Sequence, residues 1–515
     1  MGKVFYITTP IYYVNDMPHI GTAYTTLAAD VMARYHRLKG SEVFFLTGTD
    51  EHGQKVAQAA EARGESPQAW ADKMAPQFID TWKLLNISND DFIRTTQERH
   101  TRVAQLFIEK LKESGDIYLD SYEGWYCVHD ESFLLSSQLV DKACPDCGRP
   151  VDWVKEENYF FRLSKYADEV LRHIEENPEF VQPESRRNEV TSFIKLGLQD
   201  QSISRTSFSW GIPLPFDPRH VMYVWFEALL NYVSAIDYGV DPEKFESAWP
   251  ADWHLVGKEI LRFHAVIWPA MLIAAGLPLP KRVFAHGWLT VEGEKMSKSL
   301  GNVVPPDELV EEYGVDAYRY YFMREFSFGS DGNFSRRTLL KRYNAELAND
   351  LGNLVSRVLA MIDKYRGSKV PGPGAPGEEE NLLRDKSSAL VDSLDDRLAA
   401  PAFNEALALI WEFVHALNRY VDVSAPWSLA KDTSREADLD RVLYDSLEGL
   451  RMISLFISPF MPDTAARIWE RIGMNEPLEN ARLPESAAWG LLPAGAVITR
   501  GEALFPRKET QPEDS

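Results

Sequence analysis

Cysteine is scarce: three residues in 515, all between Cys127 and Cys147. So few thiols, so close together, exclude a disulfide framework, suit a reducing compartment and point to one local site. Long apolar runs are missing too. No stretch approaches the ~20 residues that cross a bilayer, and strand-like sequence begins by Val4 without a basic, apolar leader. A cytoplasmic protein that does not enter membranes is the expectation. Cations are the minority, with 55 Lys and Arg against 77 Asp and Glu, a net charge of −22 that on average repels nucleic acid. What is abundant excludes disorder: 45% apolar residues and 14 Trp belong to a folded chain, and this length implies several domains.

The charge is unevenly spread. From Arg336 to Lys369 eight basic residues stand against three acids, a positive stretch in an acidic chain. Charge alone reads as a solvated helix face.

Periodicity places the elements. "VFYITTP" reads as a strand, "GTAYTTLAADVMARYHRLKG" as a helix stopped at Gly40, and "EVFFLTGTD" as a second buried strand. This βαβ order predicts a parallel sheet, whose ligands bind at the carboxyl ends of the strands. Both "PHIG" and "TGTDEHG" fall at such ends. From about residue 117 the pattern turns polar, through Cys127 and "CPDCGRP", until an apolar β run at "HVMYVWFEALLNYV". That block reads as an insertion between two halves of one sheet. The sheet resumes at "DWHLVG", followed by a helix "KEILRFHAVIWPAMLIAAG" and a strand "RVFAHGWLT". Beyond Arg336 the pattern is helical, interrupted by the connector "GSKVPGPGAPGEEE".

Three constellations carry chemistry. In "PHIGT" a glycine at a helix start lets backbone approach a phosphate, the helix N-terminus supplies free N–H groups, and His19 can donate to a phosphate oxygen. In "KMSKSLGN" Lys295 and Lys298 flank Ser297 in a segment bounded by Gly293 and Gly301, so two ammonium groups can close over a polyphosphate. In the cysteine block, Cys127-x-x-Asp130 is followed after thirteen residues by Cys144-x-x-Cys147, with His129 alongside. Three thiolates completed by Asp130 or His129 have the spacing of a structural zinc knuckle, and a metal-free turn is the alternative.

The first two motifs, in this order and at this separation, resemble the signatures of class I aminoacyl-tRNA synthetases. The second is intact at 295 to 299; the first ends in Thr22 where the family commonly has a second histidine. Within the class, "ITTPIYYVNDMPHIG", "LTGTDEHG", "YVWFEALLNY" and "GKEILRFHAVIWPAM" are similar to the methionyl-tRNA synthetase family, and the similarity runs to "ALFPR" near 507.

The resemblance implies a reaction and its residues. Methionine and ATP would give methionyl-adenylate and pyrophosphate, and the methionyl group would pass to methionine tRNA, elongator and initiator alike, with Mg²⁺ accompanying ATP. His19, Lys295 and Lys298 would be catalytic. His19, Gly21, Thr22, Lys295, Ser297 and Lys298 would hold the phosphates, Gly257 and Glu259 the ribose, and His286, Gly287 and Trp288 the adenine. At the ribose position the family usually has Asp, so Glu259 is a departure. Asp50 would read the α-ammonium. Ile11, Tyr12, Trp225, Ala228, Leu229, Tyr232, His264 and Trp268 would surround the side chain, as suits a polarisable thioether.

In "ELANDLGNLVSRVLAMI" the residues Leu347, Leu351, Leu354, Val355, Val358 and Ile362 recur with helical period and form a buried face. Asn353 and Arg357 are four apart on another side. The resemblance makes them, with Trp427, contacts to an unstacked anticodon.

An α/β chain is therefore expected. A Rossmann-like parallel-sheet domain (1–116 and 220–290) would be split by a connective insertion (117–219), then joined through the lysine loop and a linking region (291–345) to an all-α anticodon-binding domain (346–515). The block of about a hundred residues is too small for the editing insertion of synthetases for isoleucine, valine or leucine. A tRNA-independent nucleotidylyltransferase would have no use for the helical region. An end soon after "ALFPRKE" favours a monomer.

Overall fold

The computed structural model describes residues 3–127, 132–134, 136, 139–145, 148–296 and 301–509. They form two compact units, 1–29 with 42–83 and 87–286, and 30–41 with 84–86 and 287–515.

The first unit is built on six parallel strands. Strands β1 (Phe5–Tyr13), β2 (Val43–Asp50) and β3 (Asp91–Arg94) lie on one side, in the order β3, β2, β1. Beside β1 follow Trp253–Gly257, Val283–His286 and Val181–Gln182. The chain leaves β1 in one direction and returns on its other side 240 residues later, through Thr8 opposite His254, so the crevice between those returns lies at β1. Helix α1 (Ile20–Leu38) makes the first crossover. Buried strands with both faces covered read as apolar runs, which is why β2 ends in six consecutive buried residues.

The inserted block is mainly antiparallel, although its Val181–Gln182 joins the edge of the parallel sheet. Ile117–Cys127 pairs with Asp152–Phe161 over ten residue pairs, flanked by Ser132–Leu134 and Gln201–Ser202. Asp152–Phe161 is exposed or half-buried as far as Glu157 and buried at Asn158, Tyr159 and Phe161.

Three elements differ from the sequence expectation. "HVMYVWFEALLNYV" is strand only as far as Met222; Val224–Ala228 and Asn231–Ser234 are helical. Trp225, Leu229 and Tyr232 are four and three apart, a helical period that the apolar density of the run concealed. "RVFAHGWLT" is two strands: Val283–His286 belongs to the parallel sheet, whereas Leu289–Val291 pairs with Gly332–Phe334 and Glu294–Lys295. The helix after Gly257 begins as a 3₁₀ turn, Lys258–Ile260, passes through a π segment, Phe263–Ile267, and becomes α at Trp268.

The second unit is mainly helical. Its long helices are Glu378–Ala399, Phe403–Ser424 and Glu436–Ile457. The expected basic helix is π-wound over Tyr343–Gly352 and α over Asn353–Arg366, and all six apolar positions named above are buried. Its positive charge is partly neutralised at close range: Arg336 pairs with Glu308, Arg342 with Glu325 and Glu346, and Arg366 with Asp440.

Candidate active site

The ends of adjacent parallel strands bring the first group of residues together. Tyr13 lies opposite Asp50, and Gly257 opposite His286. Asp50, Gly257 and His286 are therefore the last residues of three strands of one sheet, all on its carboxyl edge.

α1 starts there with a reciprocal cap. The imidazole Nδ1 of His19 accepts the Gly21 N–H at 3.0 Å, and Thr22 Oγ1 accepts the His19 N–H at 3.0 Å. The arrangement is that of a capping box, with an imidazole in place of the usual hydroxyl. Because Nδ1 is an acceptor, the ring proton sits on Nε2. Burial lowers the His19 pKa, against a smaller opposing pull from Asp16, so the ring is a neutral Nε2–H donor near neutral pH. The Thr22 hydroxyl, expected at the phosphates, donates to the His19 carbonyl at 2.8 Å and is spent on the turn.

The aromatic cluster around Tyr232 is fixed by two buried histidines. His264 Nδ1 faces the Ile260 carbonyl at 2.9 Å, so that nitrogen carries the hydrogen and Nε2 accepts from the Tyr232 hydroxyl at 2.7 Å. Burial pulls the His264 pKa down to about 4 and raises that of the Tyr232 phenol, so this donor and acceptor keep their roles. His254 accepts from Trp268 Nε1 at 3.3 Å, bonds Thr8 Oγ1 at 2.7 Å, and stacks under Tyr232 with ring centroids 4.2 Å apart. Neither Thr8 nor His254 was marked by the sequence; His254 lies inside an apolar strand with no motif of its own.

Trp225 stacks on Phe263 at 4.3 Å and meets the edge of Tyr13 at 5.8 Å. Its indole N–H is buried with no acceptor among the described residues. Leu229, Tyr232 and Trp268 belong to one core cluster, against which Ile11, Tyr13 and Trp225 pack. Tyr12, expected in this pocket, instead stacks on Phe78 and bonds Thr22 O and Thr26 Oγ1. The reason is the strand period of two: Ile11 and Tyr13 share a face and Tyr12 takes the other. Tyr13 is the residue missed, and that alternation is the signal that could have found it. Asp50, Ala228 and His264 are buried.

At the end of Trp253–Gly257 a Cβ on Gly257 would lie 2.3 Å from Glu259 Oε1, so the carboxylate rests against bare backbone. Thr25 Oγ1 bonds His286 Nε2 at 2.6 Å. In the second unit, a Cβ on Gly287 would lie 2.2 Å from the Ser330 backbone, which only glycine permits. There too the Lys295 ammonium sits 4.4 Å from the centroid of the Trp288 ring. Ser297 and Lys298 lie outside the described residues. So do His129, Asp130 and Cys147; Cys127 and Cys144 are both buried in one small cluster with Leu134.

In the helical unit Arg357 donates to Asp422 at 2.6 Å and to Asn418 at 3.1 Å, and Asn353 donates to Asn349 at 3.2 Å. These residues line one open groove of about 740 Å³ together with His415. Trp427 is 41% exposed but does not line that groove.

A parallel nucleotide-binding sheet with a capped His-x-Gly helix start and a helical C-terminal unit defines a class I aminoacyl-tRNA synthetase. Residues 5–359 match the family model of class I tRNA synthetases (M), and residues 370–514 match the anticodon binding domain of methionyl tRNA ligase. The chain is 53% identical to methionine–tRNA ligase of Caldanaerobacter subterraneus subsp. tengcongensis, over 100% of this chain and 80% of that one. It is 50% identical to the Streptomyces coelicolor enzyme, over 99% and 98%. The solved Mycobacterium tuberculosis methionyl-tRNA synthetase in complex with methionyl-adenylate superposes with a TM-score of 0.93 at 44% identity, covering 98% of this chain and all of that one. The chain belongs to the methionyl-tRNA synthetase family.

Proposed function

We propose that the residues described above carry out the ATP-dependent attachment of L-methionine to methionine tRNA through methionyl-adenylate, with release of pyrophosphate and AMP. The observation that carries the assignment of roles is the His19 cap, which leaves a neutral Nε2–H donor at a helix N-terminus, a setting that suits an anion. The methionine carboxylate is already a nucleophile and pyrophosphate a competent leaving group, so positioning and charge stabilisation suffice for activation.

In this reading His19 and Gly21 bind the phosphates, and Lys295 and Lys298 neutralise charge on the α-phosphate and pyrophosphate, with Mg²⁺ accompanying ATP. Glu259, against Gly257, takes the ribose hydroxyls. His286, Gly287 and Trp288 meet adenine. Asp50 holds the ammonium, while Ile11, Tyr13, Trp225, Ala228, Leu229, Tyr232, His264 and Trp268 enclose the thioether side chain. Thr22 acts through His19. Asn353, Arg357 and Trp427 read the anticodon.

Two buried thiols in one cluster suit a zinc ion, and we assign a structural zinc to Cys127, Cys144 and Cys147, completed by Asp130 or His129. Elemental analysis reading about one zinc per chain tests it. The five-segment domain division and a monomeric state remain part of this proposal.

ATP–pyrophosphate exchange with each of the twenty amino acids tests the reaction: methionine alone is expected to drive it strongly. Lys298→Ala is expected to slow exchange by several orders of magnitude with the fold intact. A near-normal rate removes the lysine clamp.

A further inference from the structure

Glu227 is fully buried, and the reaction described above gives it no role. Its Oε1 accepts from His52 Nδ1 at 2.8 Å and its Oε2 from His100 Nε2 at 2.8 Å. Burial by itself would raise its pKa, but the two imidazoles face the carboxylate and hold it below the usual carboxylate range. Removing a carboxylate from water is costly, and apolar side chains of similar volume would pack there without that cost. What apolar packing does not supply is direction.

The three residues come from three elements. His52 is two residues beyond Asp50 at the end of β2. Glu227 lies in the short helix that also carries Trp225 and Ala228. His100 lies in the first turn of the core helix Glu98–Glu113, with Nδ1 buried and without a partner among the described residues. The turn that bears His52 is also held by other elements. The Glu51 carboxylate takes Arg94 at 2.7 and 3.0 Å, the Glu51 carbonyl takes Trp210 Nε1 at 2.7 Å, and the Gly53 N–H reaches the Trp210 carbonyl at 3.4 Å. The His52 to Glu227 bond ties that turn directly to the helix Val224–Ala228.

We propose that Glu227, held by His100 and acting through His52, is a positioning residue that fixes the Asp50 carboxylate at a set distance from the thioether pocket. The proposal rests on the reading that Asp50 binds the α-ammonium. Misplacement of a binding group by about 1 Å can cost on the order of 10²-fold, so the tie sets how well one molecule satisfies both ends. A residue acting only on stability would affect all pocket ligands alike. A residue acting through Asp50 affects those that carry an ammonium.

Three ligands separate the two cases by calorimetric titration of the full chain: L-methionine, L-methioninol, which keeps the ammonium and lacks the carboxylate, and desamino-methionine, which lacks the ammonium. Glu227→Gln keeps the volume but turns one acceptor into a donor facing an imidazole. It is expected to weaken methionine and methioninol about tenfold or more, the scale of one charged hydrogen bond, and desamino-methionine less than about twofold. His100→Gln keeps a donor toward Glu227 and is expected to bind as the parent does; His100→Leu removes the donor and should repeat the Glu227→Gln pattern, which keeps the test open if one variant folds poorly. Equal weakening of all three ligands, or of none, overturns the proposal. Asp50→Asn is the control. If its loss is not confined to ammonium-bearing ligands, the reading of Asp50 fails; if it is, and the Glu227 and His100 variants show no such selectivity, the positioning role alone fails.

Discussion

Thr22 and His19 hold each other at the start of α1: the threonine hydroxyl takes the His19 N–H at 3.0 Å and returns its own hydrogen to the His19 carbonyl at 2.8 Å. With Gly21 N–H on Nδ1, this fixes both the ring's orientation and its tautomer. The residue that departs from the family signature is therefore a clamp on the residue that keeps it.

Thr22→Val preserves shape and removes both bonds. The loss of a cap costs about 1 kcal/mol, and ATP–pyrophosphate exchange is expected to fall about tenfold through a higher KM for ATP, with the KM for methionine unchanged. Thr22→Ser should restore it. An unchanged KM for ATP in Thr22→Val would show that the turn holds His19 without the hydroxyl.

His264 titrates near 4 in the folded chain against 6.5 unfolded, because burial disfavours its charged form. Between those values the unfolded chain binds the extra proton, so the stability this neutral ring contributes is whole above pH 6.5 and is lost as pH falls toward 4. Moving from pH 7 to pH 5 should cost about 2 kcal/mol from this group. His264→Gln is expected to flatten the pH dependence of the urea midpoint by that amount; an equally steep dependence in the variant would place the titration elsewhere.

Gly257→Ala drives a methyl into the Glu259 carboxylate, a side-chain end that can swing aside. The fold should survive. The KM for ATP should rise roughly tenfold, as expected for one lost charged hydrogen bond to a ribose hydroxyl, with the KM for methionine unaffected. Steady-state exchange at varied ATP and varied methionine checks the split.

Arg357→Ala leaves Asp422 unpaired, but that carboxylate is 60% exposed, and a surface pair is worth only about 0–1 kcal/mol. Stability should therefore hold. Pyrophosphate exchange is expected to match the parent, while tRNA charging falls on the order of 10²-fold, the scale of 1.5–3 kcal/mol for hydrogen bonds to a charged group. Arg357→Lys, with no planar fork, should not restore it. Equal loss of exchange and charging would contradict separate sites for the two.

The parallel sheet was legible because its strands are buried on both faces and appear as unbroken apolar runs between turn signals. The same density misled at "HVMYVWFEALLNYV", where helix and strand predict similar apolar content and only the spacing of Trp225, Leu229 and Tyr232 separates them. Asp50 and Gly257 were readable as strand ends; His286 was not, because "RVFAHGWLT" reads as one unbroken strand. Tyr12 was read beside Trp225, where the structure packs Tyr13, because a list of residue types does not say which side of a strand each one takes.

Local chemistry, then, was the sequence's to determine: the glycine beside His19, the paired lysines, the helical face from Leu347 to Ile362, and the acidic balance of 77 to 55. Tertiary structure decided what depends on distant partners. His254 has no signal until Thr8 and Trp268 meet its two nitrogens, and Glu227 is an unremarked helix residue until imidazoles from residues 52 and 100 close on it. A hydrogen bond acts over about 3 Å whatever the separation along the chain. Which atoms come within that reach is settled only when the strands and helices that carry them have packed.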